Sequence, residues 1–201
     1  MTVPGITVFG QQSHPDWTAG TPIAEDATGF PTDYVALDLE TTGFYPNRCA
    51  ITEIGAVRVR GGRVVDQFQQ LINPLCPIPR QITALTGITD AMVANHDPID
   101  GVLPQFISWL ADSSAAAETE PIVGHNVSFD LRFLDYNTRH IAGCGFACAD
   151  YDTMQISRAL FPKQSHHRLA DLIVRFGIAD NEEHRALSDA IQTQQCFEWM
   201  R

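Results

Sequence analysis

Asp38 and Glu40 flank a leucine in Asp-Leu-Glu-Thr-Thr-Gly, Asp130 closes His-Asn-Val-Ser-Phe-Asp, and His184 and Asp189 bound His-Arg-Ala-Leu-Ser-Asp. Four carboxylates brought into one cleft repel one another, and each raises the pKa of the others. Divalent cations seated among them supply the missing positive charge, and an imidazole alongside moves protons near neutral pH. Gathered in this way, these residue types are equipped for metal-assisted hydrolysis of a phosphodiester. No single segment specifies that chemistry. Asp130 alone reads as a carboxylate favoured at a helix start, Asp189 as a helix-surface acid and His184 as a solvated loop residue. Their joint occurrence carries the reading.

The elements that hold these residues constrain where they point. Tyr34 to Leu39, Tyr-Val-Ala-Leu-Asp-Leu, is a short run of strand formers closed by Thr-Thr-Gly and reads as a buried strand. Residues two apart on a strand share a face, so Asp38 and Glu40 project together, about 6.5 to 7 Å apart along the backbone. That separation suits two metal ions about 3.5 to 4 Å apart. For the last segment the geometry differs, because five residues of helix advance about 500° and leave His184 and Asp189 about 140° apart in projection. The two cannot share a helical face. Asp189 is therefore expected inside the final helix and His184 in the segment Asn181 to Arg185 before it, as a loop-borne base that swings in with substrate.

With 201 residues and 44% hydrophobic content, the chain has enough apolar material for one domain with a substantial core. The stretch Met1 to Pro31 is punctuated by Gly5, Gly10, Pro15, Gly20, Pro22, Gly29 and Pro31, and reads as a leader arm, 1–31, ahead of a domain at 32–201. No run approaches the roughly 20 apolar residues of a membrane span, and the amino terminus lacks signal-peptide order, so no membrane partner and a cytoplasmic location are expected. The five cysteines form no regular framework and read as free thiols. Cys144 and Cys148 lack the second pair that a structural zinc site requires. A net charge of −11 argues against a broad basic surface that grips nucleic acid. Contact is expected only with a few terminal nucleotides, and a partner that delivers them fits this weak affinity.

The remaining elements follow from pattern. Ile54 to Arg60 and Arg63 to Ile72 alternate around Gly61-Gly62, a hairpin signal. Pro79 opens a short helix that Gly87 ends, and Asp100 caps a longer one with Val102, Leu103, Phe106, Ile107 and Leu110 on its apolar face. Ser113 to Glu120 reads as a solvated linker. Ile122-Val123 resumes strand character, and helices are expected from Phe129 to His140, Thr153 to Leu160, around Leu169 to Phe176, and Ala186 to Trp199. The last is expected to present Leu187, Ala190, Ile191 and Gln194 inward. Lys163 to Arg168 is the most basic local stretch, at a helix start where phosphate binding or a plain solvated turn is possible. Glu53, on the second strand, is assigned no metal. The order of elements implies an α/β fold with a mixed sheet.

From Tyr34 to Trp199 the chain resembles the DEDDh 3′ to 5′ exonucleases, the family of proofreading epsilon subunits of bacterial DNA polymerase III and their stand-alone relatives. The resemblance lies in Asp38-Leu-Glu40-Thr-Thr-Gly43, His125-Asn126-x-x-Phe129-Asp130 and His184-x-Ala186-x-x-Asp189, in family order. It extends to Ile51-Thr-Glu-Ile-Gly-Ala-Val57 and to the stretch from Asn73 through Gly87-Ile-Thr-Asp90. It implies a ribonuclease H-like fold, with a five-stranded mixed sheet whose first three strands are antiparallel. It implies also that Asp38, Glu40, Asp130 and Asp189 hold two Mg²⁺ or Mn²⁺ ions, and that His184 is the general base.

The expected substrate is a nucleic acid 3′ end, with single-stranded DNA favoured, RNA possible, and nucleoside 5′-monophosphates released. Leu39, Thr41, Phe44 and Phe129 are candidates for contact with the terminal nucleotides, and His125 and Asn126 for orienting the loop before Asp130. A polymerase or other delivery partner fits the resemblance. The alternatives are an exoribonuclease resembling ribonuclease T or oligoribonuclease, and a non-catalytic assembly module on the same fold.

Overall fold

The computed structural model describes residues 29–111 and 120–201. The proposed linker from 113 to 119 and the leader up to residue 28 lie outside the described residues. Three strands open the domain: β1 (Tyr34–Thr41), β2 (Ile51–Arg60) and β3 (Arg63–Leu71). The β2–β3 turn is the expected one, with Gly61 and Gly62 at φ 54° and 76°, the left-handed backbone that a two-residue turn demands. After helices α1 (Arg80–Thr86), α2 (Asp90–Val93) and α3 (Ile99–Ala111), strand β4 (Ile122–Gly124) leads into α4 (Ser128–Ala142). Then come β5 (Asp150–Asp152), α5 (Thr153–Leu160), α6 (Leu169–Arg175) and α7 (Ala186–Met200).

The sheet order is β3-β2-β1-β4-β5, with β1, β2 and β3 antiparallel and β4 and β5 parallel to β1. This is the five-stranded mixed sheet of a ribonuclease H-like fold. The order makes β1 central, and its alternation divides the core in two. Val35, Leu37 and Leu39 pack against Val102, Leu103 and Phe106 of α3 and Leu131, Phe133 and Leu134 of α4. Tyr34 and Ala36 face the other way, toward Ile156 of α5 and Phe197 and Met200 of α7. Asp38 and Glu40 continue this second face. Opposite them in register, Asp38 meets Gly55 and Glu40 meets Glu53 of β2.

Several elements depart from expectation for physical reasons. α3 starts at Ile99, with the Pro98 carbonyl accepting from the N–H groups of Gly101 and Val102, so Asp100 lies within the first turn rather than capping it. Strand β5 and the single turn α2 were not foreseen. β5 is three residues long, Asp-Tyr-Asp, too short and too polar to show an apolar alternation. Phe30, assigned above to the leader, packs edge-on against Tyr151 and Phe197, so the packed body begins ahead of Asp33. Glu120, expected in a solvated linker, instead pairs with Arg58 and Arg60. Arg58 is itself buried between Asp66 and the Trp109 ring. Among the described residues, no helix is long and apolar enough to cross a membrane.

The seat of α7 matters most for the site. Its buried line is Ala186, Ala190, Thr193 and Phe197, while Leu187 and Ile191, expected inward, are only half-buried at its flank. Small residues face the sheet because the first turn nearly touches β2. A Cβ on Gly55 would lie 2.1 Å from both the Ala186 carbonyl carbon and the Leu187 nitrogen. Backbone cannot yield as a side chain can, so Gly55→Ala is expected to cost about 3 kcal/mol or more. Gly61→Ala, where a methyl meets only open space and the left-handed backbone is the sole obstacle, should cost about 1 kcal/mol. Urea unfolding of the two variants measures the contrast.

Candidate active site

Because α7 covers the face of β1 that carries Asp38 and Glu40, Asp189 in its first turn is brought over the strand end. Asp38, Glu40 and Asp189 each offer an oxygen within 4.8 Å of the others. Asp130 arrives from the opposite face, in the first turn of α4, and its Oδ1 accepts the Leu39 N–H at 3.1 Å. Its charge still reaches Asp38. Thus one central strand gathers acids carried by helices on both of its faces. Asp130 and Asp189 each sit in a helix first turn, where the backbone dipole favours negative charge.

The crowding shows in proton affinity. Burial first, then the charges of Asp130, Glu40, Asp189 and Glu182, hold Asp38 well above the usual carboxylate range. Burial and the neighbouring Asp189 and Glu53 push Glu40 up to about 8. Burial and Glu182 push Asp189 up to about 7. Asp130 is raised too, chiefly by burial, against the pull of backbone N–H groups including that of Leu39.

His184 precedes α7 as the angular argument requires, in a left-handed backbone conformation at φ 53°. It lies with Glu182 and Asp189 in a second group whose ligand atoms fall within 4.8 Å of one another, and its Nδ1 is 3.5 Å from Glu182 Oε1. Glu182 was not anticipated from sequence. An acid two residues before the histidine in a loop follows no periodicity that would single it out.

The candidate contact residues divide. Phe44 is 74% exposed and free to meet a base, with Tyr45 beside it at 64%. Thr41 is buried and its hydroxyl donates to the Gly43 carbonyl, which holds the turn after the acids. Leu39 is a correction: its side chain is buried in the core with α3 and α4, and alternation alone assigns it there, opposite to Asp38 and Glu40. What Leu39 offers the site is its N–H, donated to Asp130. Phe129 also packs against that core and lies 5.1 Å from the Phe133 ring.

His125 is half-buried, with Nδ1 3.0 Å from Thr153 Oγ1, and burial with the nearby Arg158 cation pushes it down to about 4. Asn126 adopts φ 58°, and its N–H is accepted by Asp152, which also caps α5 by accepting from Met154. Two members of the basic stretch before α6 are engaged by other groups of the protein. Arg168 pairs with Asp171, and His167 bridges Ser157 and the Gln164 carbonyl.

The donor set fits hard divalent cations. Carboxylate oxygens are the ligands such ions prefer. Asp189 Oδ1 is buried with no hydrogen-bond partner among the described residues, a costly state that a cation relieves. The raised values also fix a pH dependence for the metal-free protein. A carboxyl whose folded pKa exceeds its unfolded value binds more protons when folded, so its stabilisation is complete below the unfolded pKa and is lost as pH rises through the folded one. Glu40 and Asp189 set that window from about 4 to about 8. In chelator, the melting temperature should fall across it. Added Mn²⁺ or Mg²⁺ should restore it most at the alkaline end, and a melting temperature unaffected by either ion at pH 8 would exclude a cation site.

Comparison with known proteins agrees with the geometry. A family model described as an exonuclease matches residues 35–197. The DNA polymerase III subunit epsilon of Aquifex aeolicus is 35% identical over 164 residues, covering 82% of this chain and 78% of that protein. The PolC-type DNA polymerase III of Thermotoga maritima is 37% identical over 175 residues, 87% of this chain, which spans only 12% of that much longer protein. Among solved structures, Exonuclease X in complex with 5′ overhanging duplex DNA superposes with a TM-score of 0.65 at 27% identity, covering 83% of this chain and 90% of the other. Exonucleases of this family depend in general on divalent metal. The match along residues 35–197, over a sheet that brings its acids to one strand end, identifies the chain as a member of the exonuclease family.

Proposed function

We propose that this chain is a 3′ to 5′ exonuclease that shortens single-stranded DNA ends and releases nucleoside 5′-monophosphates, using two divalent cations, Mg²⁺ or Mn²⁺. The observation that carries the reading is the meeting of Asp38, Glu40 and Asp189 at one strand end, with His184 at its edge. These three acids, with Asp130 from the other face, are the residues that would hold the ions. Bound there, the ions would offset the negative charge on the phosphate oxygens and acidify the attacking water.

The chain's own residues supply the rest. His184 takes the water's proton on an imidazole nitrogen, and Glu182 beside Nδ1 favours a tautomer that leaves Nε2 free to accept it. The turn held by Thr41 and the exposed ring of Phe44 receive the terminal nucleotide, the ring by stacking. His125, uncharged near pH 7, orients the approach to Asp130. DNA is favoured over RNA by the epsilon subunit and by the DNA complex of Exonuclease X. The acidic surface suits a nuclease whose substrate end is delivered by a polymerase or another partner, within the cytoplasm. We take 32–201 as the exonuclease domain and 1–31 as a leader with Phe30 docked onto it.

Incubation of 5′-labelled single-stranded DNA and RNA oligomers with Mg²⁺ or Mn²⁺ tests the reading. A ladder of shortened DNA is expected, absent in chelator and in Asp38→Ala. Shortening of RNA alone reassigns the chain as an exoribonuclease, and a folded protein that shortens neither is an assembly module. His184→Ala should slow hydrolysis by about 10² to 10⁴ while calorimetry finds metal affinity nearly unchanged. A large loss of metal affinity would make His184 a ligand instead.

A further inference from the structure

Glu53 is 0% exposed, and a carboxylate so placed is tolerated only when its oxygens are matched. Its partners converge from the entry of α7 and from β3. Arg185 Nε donates to Oε2 at 2.9 Å and Arg185 Nη2 to Oε1 at 2.7 Å. The Ala186 N–H donates to Oε2 at 3.2 Å, and Gln69 Nε2 to Oε1 at 2.9 Å. A two-pronged ion pair therefore grips the residue that immediately follows His184. Two further observations bear on the same spot. Two residues along β2, Gly55 lets the first turn of α7 approach to backbone contact. His184 itself holds a left-handed turn at φ 53°, an uncommon backbone conformation for a residue with a Cβ. Glu53 also lies opposite Glu40 in register, so the Arg185 charge falls near the catalytic acids, and Glu40 helps to hold it.

We infer that Glu53 and Arg185 are positioning residues for the reaction. Their ion pair, with Glu53 buried and Arg185 half-buried, fixes the entry of α7 so that His184 addresses the end of β1. The pair acts through His184, since hydrogen bonds within the protein already engage both Glu53 oxygens. The inference rests on the reading of His184 as the base.

A purely structural pair would alter stability and leave the chemical step alone, whereas a positioning pair acts on the rate through His184. The test is a double-mutant cycle in single-turnover assays on a 5′-labelled single-stranded DNA oligomer with saturating Mn²⁺. It compares Glu53→Gln, Arg185→Lys and His184→Ala with the doubles Glu53→Gln/His184→Ala and Arg185→Lys/His184→Ala. Circular dichroism checks folding, and Arg185→Lys, which keeps the charge opposite Glu53 but loses the fork, carries the test if Glu53→Gln does not fold.

Each single substitution at the pair should slow the step by about 10- to 100-fold with little change in the half-saturating DNA concentration. In the His184→Ala background the same substitution should have almost no further effect. The His184 imidazole signal in ¹H–¹⁵N spectra, identified by its loss in His184→Ala, should shift in Arg185→Lys. Equal losses in both backgrounds, or a full rate in folded Arg185→Lys, would overturn the inference alone. A full rate in His184→Ala by itself would overturn the assignment of the base, and the inference with it.

Discussion

Like charges gathered at the end of one buried strand are the constraint around which this domain is organised. Asp38, Glu40 and Asp189 approach within reach of a common ion, Asp130 adds its charge from the other side, and burial raises all four above ordinary carboxylates. A chain gains nothing in stability from such an arrangement, because each acid must lose water and face its neighbours' repulsion. The surrounding fold therefore has to over-determine it. The central place of β1 does this, since a helix packs on each face and each delivers one acid to the same strand end.

The contrast between Glu53 and Asp189 separates an acid that is fully matched within the protein from one that is left open to a ligand. Both are almost wholly buried and they lie close together, Glu53 beneath the entry of α7 and Asp189 within its first turn. Glu53 has its oxygens filled by a guanidinium, a backbone N–H and an amide. Asp189 keeps one oxygen buried and unmatched among the described residues. An acid with every lone pair engaged is part of the scaffold, whereas one held in place yet left unmatched is available to a ligand. The Arg185 cation serves both, by neutralising Glu53 and by lying near Glu40.

Much of this could be read from the sequence, wherever local pattern and tertiary packing agree. The alternation around Asp38 and Glu40 fixed their common face, the glycine pair fixed the β2–β3 turn, and helical projection excluded His184 from α7. The rest has separate physical causes. Leu39 belongs to the acidic motif and is expected there as a base contact, but the same alternation sends its side chain to the core. Glu53 stands in a buried strand, as Asp38 does, but its partner Arg185 is distant in the chain and only folding joins them. Strand β5 exists because β4 offers it an edge, and its three polar residues carry no pattern of their own.

The charge distribution follows from the same constraint. Arg58, Arg60, Arg139, Arg168, Arg185 and Arg201 are each paired with a carboxylate, so much of the chain's positive charge is spent on its own structure. With a net charge of −11, the surface repels a polyanion at long range. Attraction can then arise only at short range, where cations offset the clustered acids and an exposed ring such as Phe44 offers a face for stacking. On the proposed function, a site built this way binds the tip of a strand rather than its length. On that reading, it also leaves the strand free to move on after each cut.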